Sequence, residues 1–303
     1  MKKKSGVITK KVCVIGTGYV GLVTGTCLAE IGHKVICVDN NAGKIKLLKA
    51  GRMPIYESGL RELVLKNVKS KRLGFSYSIS DSVKKSDIIF IAVGTPTRDD
   101  GSSDLTQVER VASEIARNVN GYKIVVEKST VPVETGGWVK KTVQRNNRSK
   151  WQVDVVSNPE FLREGSAVHD FLNPDRIVLG VETAKAEKEL QELYAPLKAK
   201  MLVTDIKSAE IIKHASNSFL ATKISFINAV ANVCERAGAD IEKVSEGMGL
   251  DKRIGPAFLK AGCGFGGFCF PKDLRAFGWI SNKLGYDFAL LKEVDKVNQL
   301  QKE

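Results

Sequence analysis

The sequence predicts an α/β protein in which a doubly wound parallel sheet is followed by an all-helical region. Two observations predict this fold. Short apolar runs alternate with helical patterns up to about Thr204, as in parallel sheets with helical crossovers. From about Asp205 the strand-like runs stop, and residues 208–237 contain neither Pro nor Gly. A stretch of this length without a helix breaker predicts one long helix.

The predicted strands are short runs rich in Val and Ile, and helical patterns separate most of them. They lie at residues 11–15, 34–39, 87–93, 123–127, 153–156 and 176–179. We therefore predict a first domain over residues 1–204 and a second, helical domain over residues 205–303. The last helical pattern runs to Glu303 without a Gly or Pro stop signal, so we expect the chain to be cut short inside a helix.

Composition and charge exclude several classes of protein. Hydrophobic residues at 43% and charged residues at 27% are typical of globular chains. No apolar run approaches the roughly 20 residues of a bilayer span, and no signal sequence follows Met1, so we expect a cytoplasmic protein without membrane contact. The net charge of +13 comes from scattered lysines, which favours anionic small molecules over nucleic acid. The spacing of Cys and His predicts reduced thiols and no metal site.

A glycine-rich turn between a strand and a helix predicts a dinucleotide site. Gly16, Gly18 and Gly21 follow the first predicted strand, and Asp39 ends the second, 18 positions after Gly21. Glycine lets the backbone approach a pyrophosphate, whose charge is met by the N–H groups of a helix N-terminus. A carboxylate at Asp39 accepts hydrogen bonds from ribose hydroxyls and repels a 2′-phosphate. The sequence therefore predicts a Rossmann-like domain that binds NAD rather than NADP.

A second glycine-rich segment, residues 261–273, carries Cys269 two positions before Pro271. Pro is common at the start of a helix, so we predict that the Cys269 thiol lies near a helix N-terminus, where a thiolate is stabilised. Asp273 then follows one turn later on the same face. A flexible loop with an incidental cysteine is the alternative, and Cys263 on the same segment leaves it open.

Further polar residues stand where a ligand would be expected. Lys213 and Asn217 are four residues apart on the predicted long helix, among apolar neighbours that would suit a lysine to proton transfer; a solvated lysine is the alternative. Thr130, Glu160 and Glu164 follow predicted strands, and ligands of open sheets bind beyond the carboxyl ends of the strands. Helix capping is the competing explanation for these polar loops.

Taken together, the segments resemble the UDP-glucose 6-dehydrogenase family almost from end to end. The matching motifs are GTGYVGL (16–22), VDNNAGKI (38–45), PIYESGL (54–60), FIAVGTPT (90–97), EKSTVPV (127–133), SNPEFLREGSAVHDFLNPDRIVLG (157–180), SAEIIKHASNSFLATKISFIN (208–228), GMGLDKRIG (247–255) and GFGGFCFPKD (264–273). The segment at 157–180 looks more like the UDP-glucose enzymes than the GDP-mannose or N-acetylmannosamine branches.

The resemblance implies an NAD-dependent, four-electron oxidation of UDP-glucose to UDP-glucuronate. The thiolate matching Cys269 attacks the intermediate aldehyde to give a thiohemiacetal, a second hydride transfer leaves a thioester, and water hydrolyses it. By motif match, Lys213 and Asn217 stabilise and hold the oxyanion. Asp273, Glu160 and a water bound to Thr130 then manage the protons.

The resemblance also implies binding residues and a partner. Cofactor contacts match Gly16, Gly18, Tyr19, Val20, Gly21, Asp39, Lys44, Thr95, Pro96, Thr130 and Glu164. Substrate contacts match Glu160, Phe161, Leu162, Glu164, Lys213, Asn217, Arg253, Lys260, Phe265 and Gly266. Family members form homodimers through the long central helix, so Arg253 is expected to reach the substrate of a partner subunit.

Three departures from the family pattern qualify these expectations. Phe268 stands where a Ser usually precedes the nucleophile, and Ser58 and Glu134 replace a usual Pro and Gly. The family's C-terminal UDP-binding domain has no counterpart here, so we expect weak binding of the sugar nucleotide. Two alternatives stay open: a catalytically silent NAD-binding and dimerisation fragment, and the same chemistry on another sugar nucleotide such as GDP-mannose or UDP-N-acetylmannosamine.

Overall fold

The computed structural model describes residues 8–302, which form two compact units. Within the described residues, the first unit comprises residues 8–95 and 105–210, and the second comprises residues 96–104 and 211–302. The sequence predicts a boundary near Thr204, whereas the units divide between Glu210 and Ile211, inside the long helix.

The first unit is an eight-stranded sheet covered by helices. Its strands are β1 Lys11–Ile15, β2 Lys34–Val38, β3 Leu73–Ser76, β4 Ile88–Ile91, β5 Lys123–Glu127, β6 Val153–Ser157, β7 Ile177–Gly180 and β8 Met201–Thr204. Its helices are α1 Tyr19–Glu30, α2 Ala42–Lys49, α3 Leu60–Lys69, α4 Ile79–Lys84, α5 Thr106–Arg117, α6 Thr135–Asn146, α7 Ala167–Leu172 and α8 Ala184–Tyr194, and helix α9, Ile206–Ala237, begins in this unit. The predicted α/β fold is confirmed.

The strand order is β3-β2-β1-β4-β5-β6-β7-β8, and one part of the predicted topology is corrected. Strands β1 to β6 pair in parallel, as predicted. Strand β7 is antiparallel to β6, with Ser157 opposite Gly180, and β8 is parallel to β7. The connection from β6 to β7 contains only the six-residue helix α7 and returns the chain to the same end of the sheet, which makes the two neighbours antiparallel.

Both faces of the sheet are buried at β1 and at β4 to β7, which explains the continuous apolar runs in these strands. Val12 and Val14 of β1 face the core that contains α1, whereas Cys13 and Ile15 face the core that contains α5. This alternation follows from the two-residue period of a strand. Strands β3 and β8 were not predicted, and β3 contains Gly74, a residue type that is depleted in strands.

The second unit consists of helices around a small core. It contains the larger part of α9, then α10 Ile241–Leu250, α11 Cys269–Lys283 and α12 Ala289–Leu300. The core is formed by Ala221, Phe265, Leu274, Leu291 and Val294. The predicted long helix is confirmed at 32 residues and begins at Ile206. Among residues 8–302, no helix is both long and apolar enough to cross a membrane.

Candidate active site

The glycine turn between β1 and α1 contains two glycines at which the fold leaves no room for a Cβ and one at which it does leave room. A Cβ on Gly16, whose φ is +105°, would lie 2.3 Å from the carbonyl oxygen of Ala92, and one on Gly21 would lie 2.0 Å from that of Gly16. Gly18, the N-cap of α1, has an ordinary φ of −71°, and a Cβ there would meet no atom within 4 Å. Open space therefore lies beside Gly18 at the helix N-terminus.

This N-terminus suits an anionic ligand. Helix α1 has no side-chain cap and no acidic residue in its first turn, so its first N–H groups, beginning at Tyr19 and Val20, are not engaged by a capping side chain. Such groups and the helix dipole favour a phosphate. The residues present therefore fit the pyrophosphate of a dinucleotide.

Asp39, directly after β2, is held as an ionised, oriented carboxylate. Its Oδ2 accepts hydrogen bonds from Thr17 N at 2.9 Å and Thr17 Oγ1 at 2.7 Å, and its Oδ1 accepts one from Asn41 N at 2.9 Å. Burial alone would raise the pKa of Asp39, but these hydrogen bonds and the nearby Lys44 outweigh burial and lower it. Lys44 Nζ lies 3.9 Å from Asp39 Oδ2.

The loops after β4 and β5 are joined by a hydrogen bond. Thr95 is buried, and its Oγ1 donates to the carbonyl oxygen of Thr130 at 2.9 Å. Two predicted cofactor residues of the first unit are therefore brought together. Pro96 belongs by its contacts to the second unit, where its carbonyl oxygen accepts a hydrogen bond from Asp104 N at 2.8 Å.

The loop after β6 carries four predicted site residues, and two of them make contacts within the loop or beside it. Glu160 is 5% exposed, and its Oε2 accepts a hydrogen bond from Leu162 N at 2.6 Å. The ring of Phe161 lies 3.9 Å from the Arg176 guanidinium. Glu164, in contrast, is exposed. The loop thus presents one buried and one accessible carboxylate.

Two buried carboxyl groups near the end of β5 were missed by the sequence analysis. Burial raises the pKa of Glu127 to about 8 and that of Glu210 to about 7. Glu210 accepts hydrogen bonds from Glu134 N at 2.8 Å and Gly136 N at 2.7 Å and so caps α6. Glu127 Oε1 accepts one from Ser129 N at 2.9 Å. A Glu at the end of an apolar strand was the available signal for Glu127.

In the second unit, Cys269 is the first residue of α11, and Pro271 is the third. The helix therefore begins two residues earlier than a Pro at its first position would imply. The Cys269 side chain is partly exposed, at a position where helix N–H groups and the helix dipole favour a thiolate. The thiol of Cys263 on the same segment is exposed and lies outside a helix.

Asp273 lies one turn after Cys269 and is 0% exposed. Its Oδ2 accepts a hydrogen bond from Asn217 Nδ2 at 2.6 Å, and its Oδ1 forms an ion pair with Lys272, which is also buried. Asn217 is 8% exposed, and Lys213, one turn earlier on α9, is 4% exposed. The predicted residues of α9 and α11 are thus brought together through Asn217 and Asp273.

Two asparagines that the sequence analysis missed hold the glycine-rich loop before α11. Asn228 Oδ1 accepts a hydrogen bond from Gly262 N at 2.8 Å. Asn298 accepts one from Phe265 N at 2.7 Å and donates one to Phe265 O at 3.0 Å. Asn298 continues the buried stripe of Leu291 and Val294 on α12, and a polar residue in such a stripe was a usable signal.

The remaining predicted substrate residues are accessible. Lys260 and Gly266 are exposed. The Arg253 side chain is 89% exposed and pairs with Asp251 at 2.6 Å. Phe268, the departure before the nucleophile, is 61% exposed.

Comparisons with known proteins show which family the chain belongs to. Residues 10–198 match the NAD-binding domain of the UDP-glucose/GDP-mannose dehydrogenase family, and residues 207–300 match its central domain. The chain belongs to the UDP-glucose/GDP-mannose dehydrogenase family.

Individual relatives extend the comparison. The chain is 55% identical over 293 residues to the UDP-glucose 6-dehydrogenase TuaD of Bacillus subtilis, covering 97% of this chain and 64% of that protein. It is 52% identical to YwqF of the same organism, covering 96% and 66%. The solved UDP-glucose dehydrogenase of Pyrobaculum islandicum superposes with a TM-score of 0.95 at 43% identity, covering 98% of this chain and 69% of that one. The chain therefore spans about two thirds of the length of these family members.

Proposed function

We propose that this chain provides the NAD-binding and central parts of an NAD-dependent UDP-glucose 6-dehydrogenase. The observation that carries the proposal is the placement of Cys269 at the N-terminus of α11, one turn before a buried Asp273 bonded to Asn217. The choice of substrate is supported by identity: relatives that are named UDP-glucose 6-dehydrogenase include proteins 44–55% identical to this chain. The solved GDP-mannose dehydrogenase of Pseudomonas aeruginosa is 32% identical.

The first unit would bind NAD through the glycine turn and Asp39. The N–H groups of α1 would meet the pyrophosphate beside Gly18, and Asp39, ionised and fixed by Thr17, would accept hydrogen bonds from the ribose hydroxyls. NAD supplies the acceptor for the hydride that leaves the sugar. Lys44, Thr95, Pro96, Thr130 and Glu164 would complete the cofactor contacts by motif match.

Cys269 would carry the covalent chemistry. After the C6 alcohol loses a hydride and a proton, the Cys269 thiolate adds to the aldehyde carbon, and the carbonyl oxygen becomes the alkoxide of a thiohemiacetal. Loss of a second hydride gives a thioester. Water then adds to the thioester carbon, the C–S bond breaks, and UDP-glucuronate leaves while the thiolate is restored. Capture by sulfur keeps the aldehyde bound between the two oxidations.

The neighbouring polar groups would handle charge and protons. Lys213 would stabilise the alkoxide by its positive charge, and Asn217 would hold it by a hydrogen bond. Because Asp273 accepts a hydrogen bond from Asn217 Nδ2, it fixes the orientation of that amide. Asp273, Glu160 and a water on Thr130 would accept the protons released.

Substrate residues would include Phe161, Leu162, Glu164, Arg253, Lys260, Phe265 and Gly266. The last two lie on a loop that Asn228 and Asn298 hold in one conformation. This fixation supports a binding role because a preformed loop loses little entropy when a ligand binds.

The family's homodimer is also part of the proposal. Phe219, Phe226 and Val233 follow one another at intervals of seven on α9 and are 65%, 54% and 63% exposed. Apolar residues repeated every seven positions form one seam along a helix, which suits packing against a second copy of α9.

The test is the yield of NADH from limiting UDP-glucose. We expect two NADH per sugar oxidised, no turnover in Cys269→Ser, and normal turnover in the matched control Cys263→Ser. One NADH per sugar would contradict the thioester route. NAD binding without detectable UDP-glucose binding would favour the alternative of a catalytically silent NAD-binding fragment. Oxidation of GDP-mannose faster than of UDP-glucose would show that the proposed substrate is wrong.

A further inference from the structure

Glu57 is a buried carboxylate that joins two segments of the first unit. It lies between α2 and α3 and is only 5% exposed. Its Oε2 accepts hydrogen bonds from the Tyr19 hydroxyl and from Gly165 N, the latter at 2.9 Å, and its Oε1 accepts one from Ala167 N at 3.2 Å. Gly165 N also lies 3.0 Å from the Tyr19 hydroxyl oxygen. Glu57, Tyr19 and Gly165 therefore form one cluster.

The first partner of Glu57 belongs to the cofactor turn. Tyr19 is the first residue of α1 and directly follows Gly18, beside which open space remains. A dinucleotide at this N-terminus would contact the backbone that carries the Tyr19 ring. A change in the position of Tyr19 would reach Glu57 through one hydrogen bond.

The other partners lie at the end of the loop after β6. Gly165 has a φ of +88°, and Ala167 is the first residue of α7. Ser166 does not cap this helix with its side chain, and its hydroxyl donates to Asp170 instead. The carboxylate of Glu57 takes over the role of the cap, where a negative charge is also favoured by the helix dipole. Residues 160–164, which include Glu160 and Glu164, lie immediately before this anchor.

We propose that Glu57 is a positioning residue that couples dinucleotide binding at the glycine turn to the placement of the 160–167 loop. The proposal rests on the NAD-binding role proposed above and adds to it a residue outside the predicted site. Bound cofactor fixes Tyr19, Tyr19 orients the Glu57 carboxylate, and the carboxylate holds the amides of Gly165 and Ala167. Cofactor binding thereby orders the segment that carries Glu160 and Glu164. By reciprocity, an ordered loop strengthens cofactor binding.

Hydrogen exchange of residues 160–170, measured by mass spectrometry with and without NAD, tests this coupling. In the wild type, NAD is expected to slow exchange in this segment. Glu57→Gln replaces an acceptor oxygen by a donor, so exchange without NAD accelerates and the affinity for NAD falls, each by roughly tenfold. Tyr19→Phe keeps the Glu57 bond to Ala167 and is expected to keep slow exchange without NAD but to lose the slowing by NAD.

The matched control is Glu62→Gln, an exposed glutamate on α3 that should behave like the wild type. If Glu57 only caps α7, Glu57→Gln should exchange faster but bind NAD with unchanged affinity, and Tyr19→Phe should respond to NAD like the wild type. This result would overturn the proposed coupling. A wild type that binds no NAD contradicts the proposed function instead. In that case exchange measured without NAD still tests whether Glu57 holds the amides of Gly165 and Ala167. This role is wrong if Glu57→Gln exchanges at the wild-type rate.

Discussion

Asn217 of α9 donates a hydrogen bond to Asp273 of α11 at 2.6 Å, and Asp273 has no exposed surface. The second oxygen of Asp273 pairs with the buried Lys272. The carboxylate thus satisfies an amide and an ammonium group at once. Removing its charge would leave Lys272 buried without a counterion.

We therefore expect Asp273→Asn to lower the free energy of unfolding by about 3 kcal/mol, because an uncompensated buried charge is costly. Denaturant unfolding at pH 7 measures the loss. The double variant Lys272→Met, Asp273→Asn removes both charges and should lose less than Asp273→Asn alone. Equal losses in the two proteins would show that the ion pair does not dominate.

The glycine turn predicts opposite results for two neighbouring substitutions. Gly18→Ala introduces a Cβ into open space at an allowed φ, so stability should change by less than about 1 kcal/mol. The same Cβ occupies the approach of the pyrophosphate, so the affinity for NAD should fall at least roughly tenfold, to be measured by titration calorimetry. Gly21→Ala would place its Cβ 2.0 Å from Gly16 O and should instead destabilise the fold severely. Unaltered NAD binding in Gly18→Ala would contradict the assigned cofactor position.

Burial of Glu127 predicts a pH-dependent stability. Burial raises the pKa of Glu127 from 4.5 to about 8. A carboxyl whose pKa is raised by folding stabilises the native state below its unfolded pKa, and this contribution is lost as the pH rises toward 8. Glu127→Gln remains neutral, so its free energy of unfolding relative to the wild type should increase from pH 5 to pH 8 by on the order of 3 kcal/mol.

Denaturant unfolding of both proteins at several pH values gives this difference directly. Glu62→Gln is the control, since Glu62 is exposed. If the difference in the free energy of unfolding between Glu127→Gln and the wild type stays constant with pH, Glu127 does not titrate in this range and the prediction is wrong.

Features set by local pattern could be predicted from the sequence. The alternation of apolar runs gave the α/β fold, and the glycine spacing with Asp39 gave the dinucleotide turn, because in both cases neighbouring residues determine the structure. Strand β3 was not predicted because its four residues, which include Gly74, are too few to show a clear period of apolar and polar residues. The antiparallel direction of β7 was not predicted because strand direction depends on the length and course of the connection, which the pattern of apolar residues does not encode.

Contacts between distant residues were the part that the sequence did not reveal. Glu57 meets Gly165 across 108 positions, and Asn298 meets Phe265 across 33. In both cases a polar side chain supplies hydrogen bonds to buried or partly buried backbone. A single sequence shows that such a residue is polar, but only the structure shows which backbone groups it contacts.

The exposed seam on α9 predicts that the protein self-associates. Phe226 lies between Phe219 and Val233 in the seam, so Phe226→Glu should convert a dimer to a monomer in sedimentation velocity. Leu284→Glu is the control, because Leu284 is 63% exposed but follows α11, outside the seam. A wild type that sediments as a monomer at micromolar concentration would contradict the dimer.

Glu134 offers a test of backbone strain. It precedes α6 with a φ of +79°, a left-handed conformation that is unfavourable for a residue with a Cβ. Its side chain forms an exposed ion pair with Lys207 at 3.5 Å, which is worth little. Its negative charge also adds to burial in raising the pKa of Glu210. Its backbone N–H, which any residue but Pro retains, donates to Glu210. Glu134→Gly should therefore raise the free energy of unfolding by about 1 kcal/mol, measured by denaturant unfolding. Glu134→Ala keeps the Cβ and separates strain from charge: if Ala stabilises as much as Gly, the lost carboxylate rather than the relieved φ is responsible.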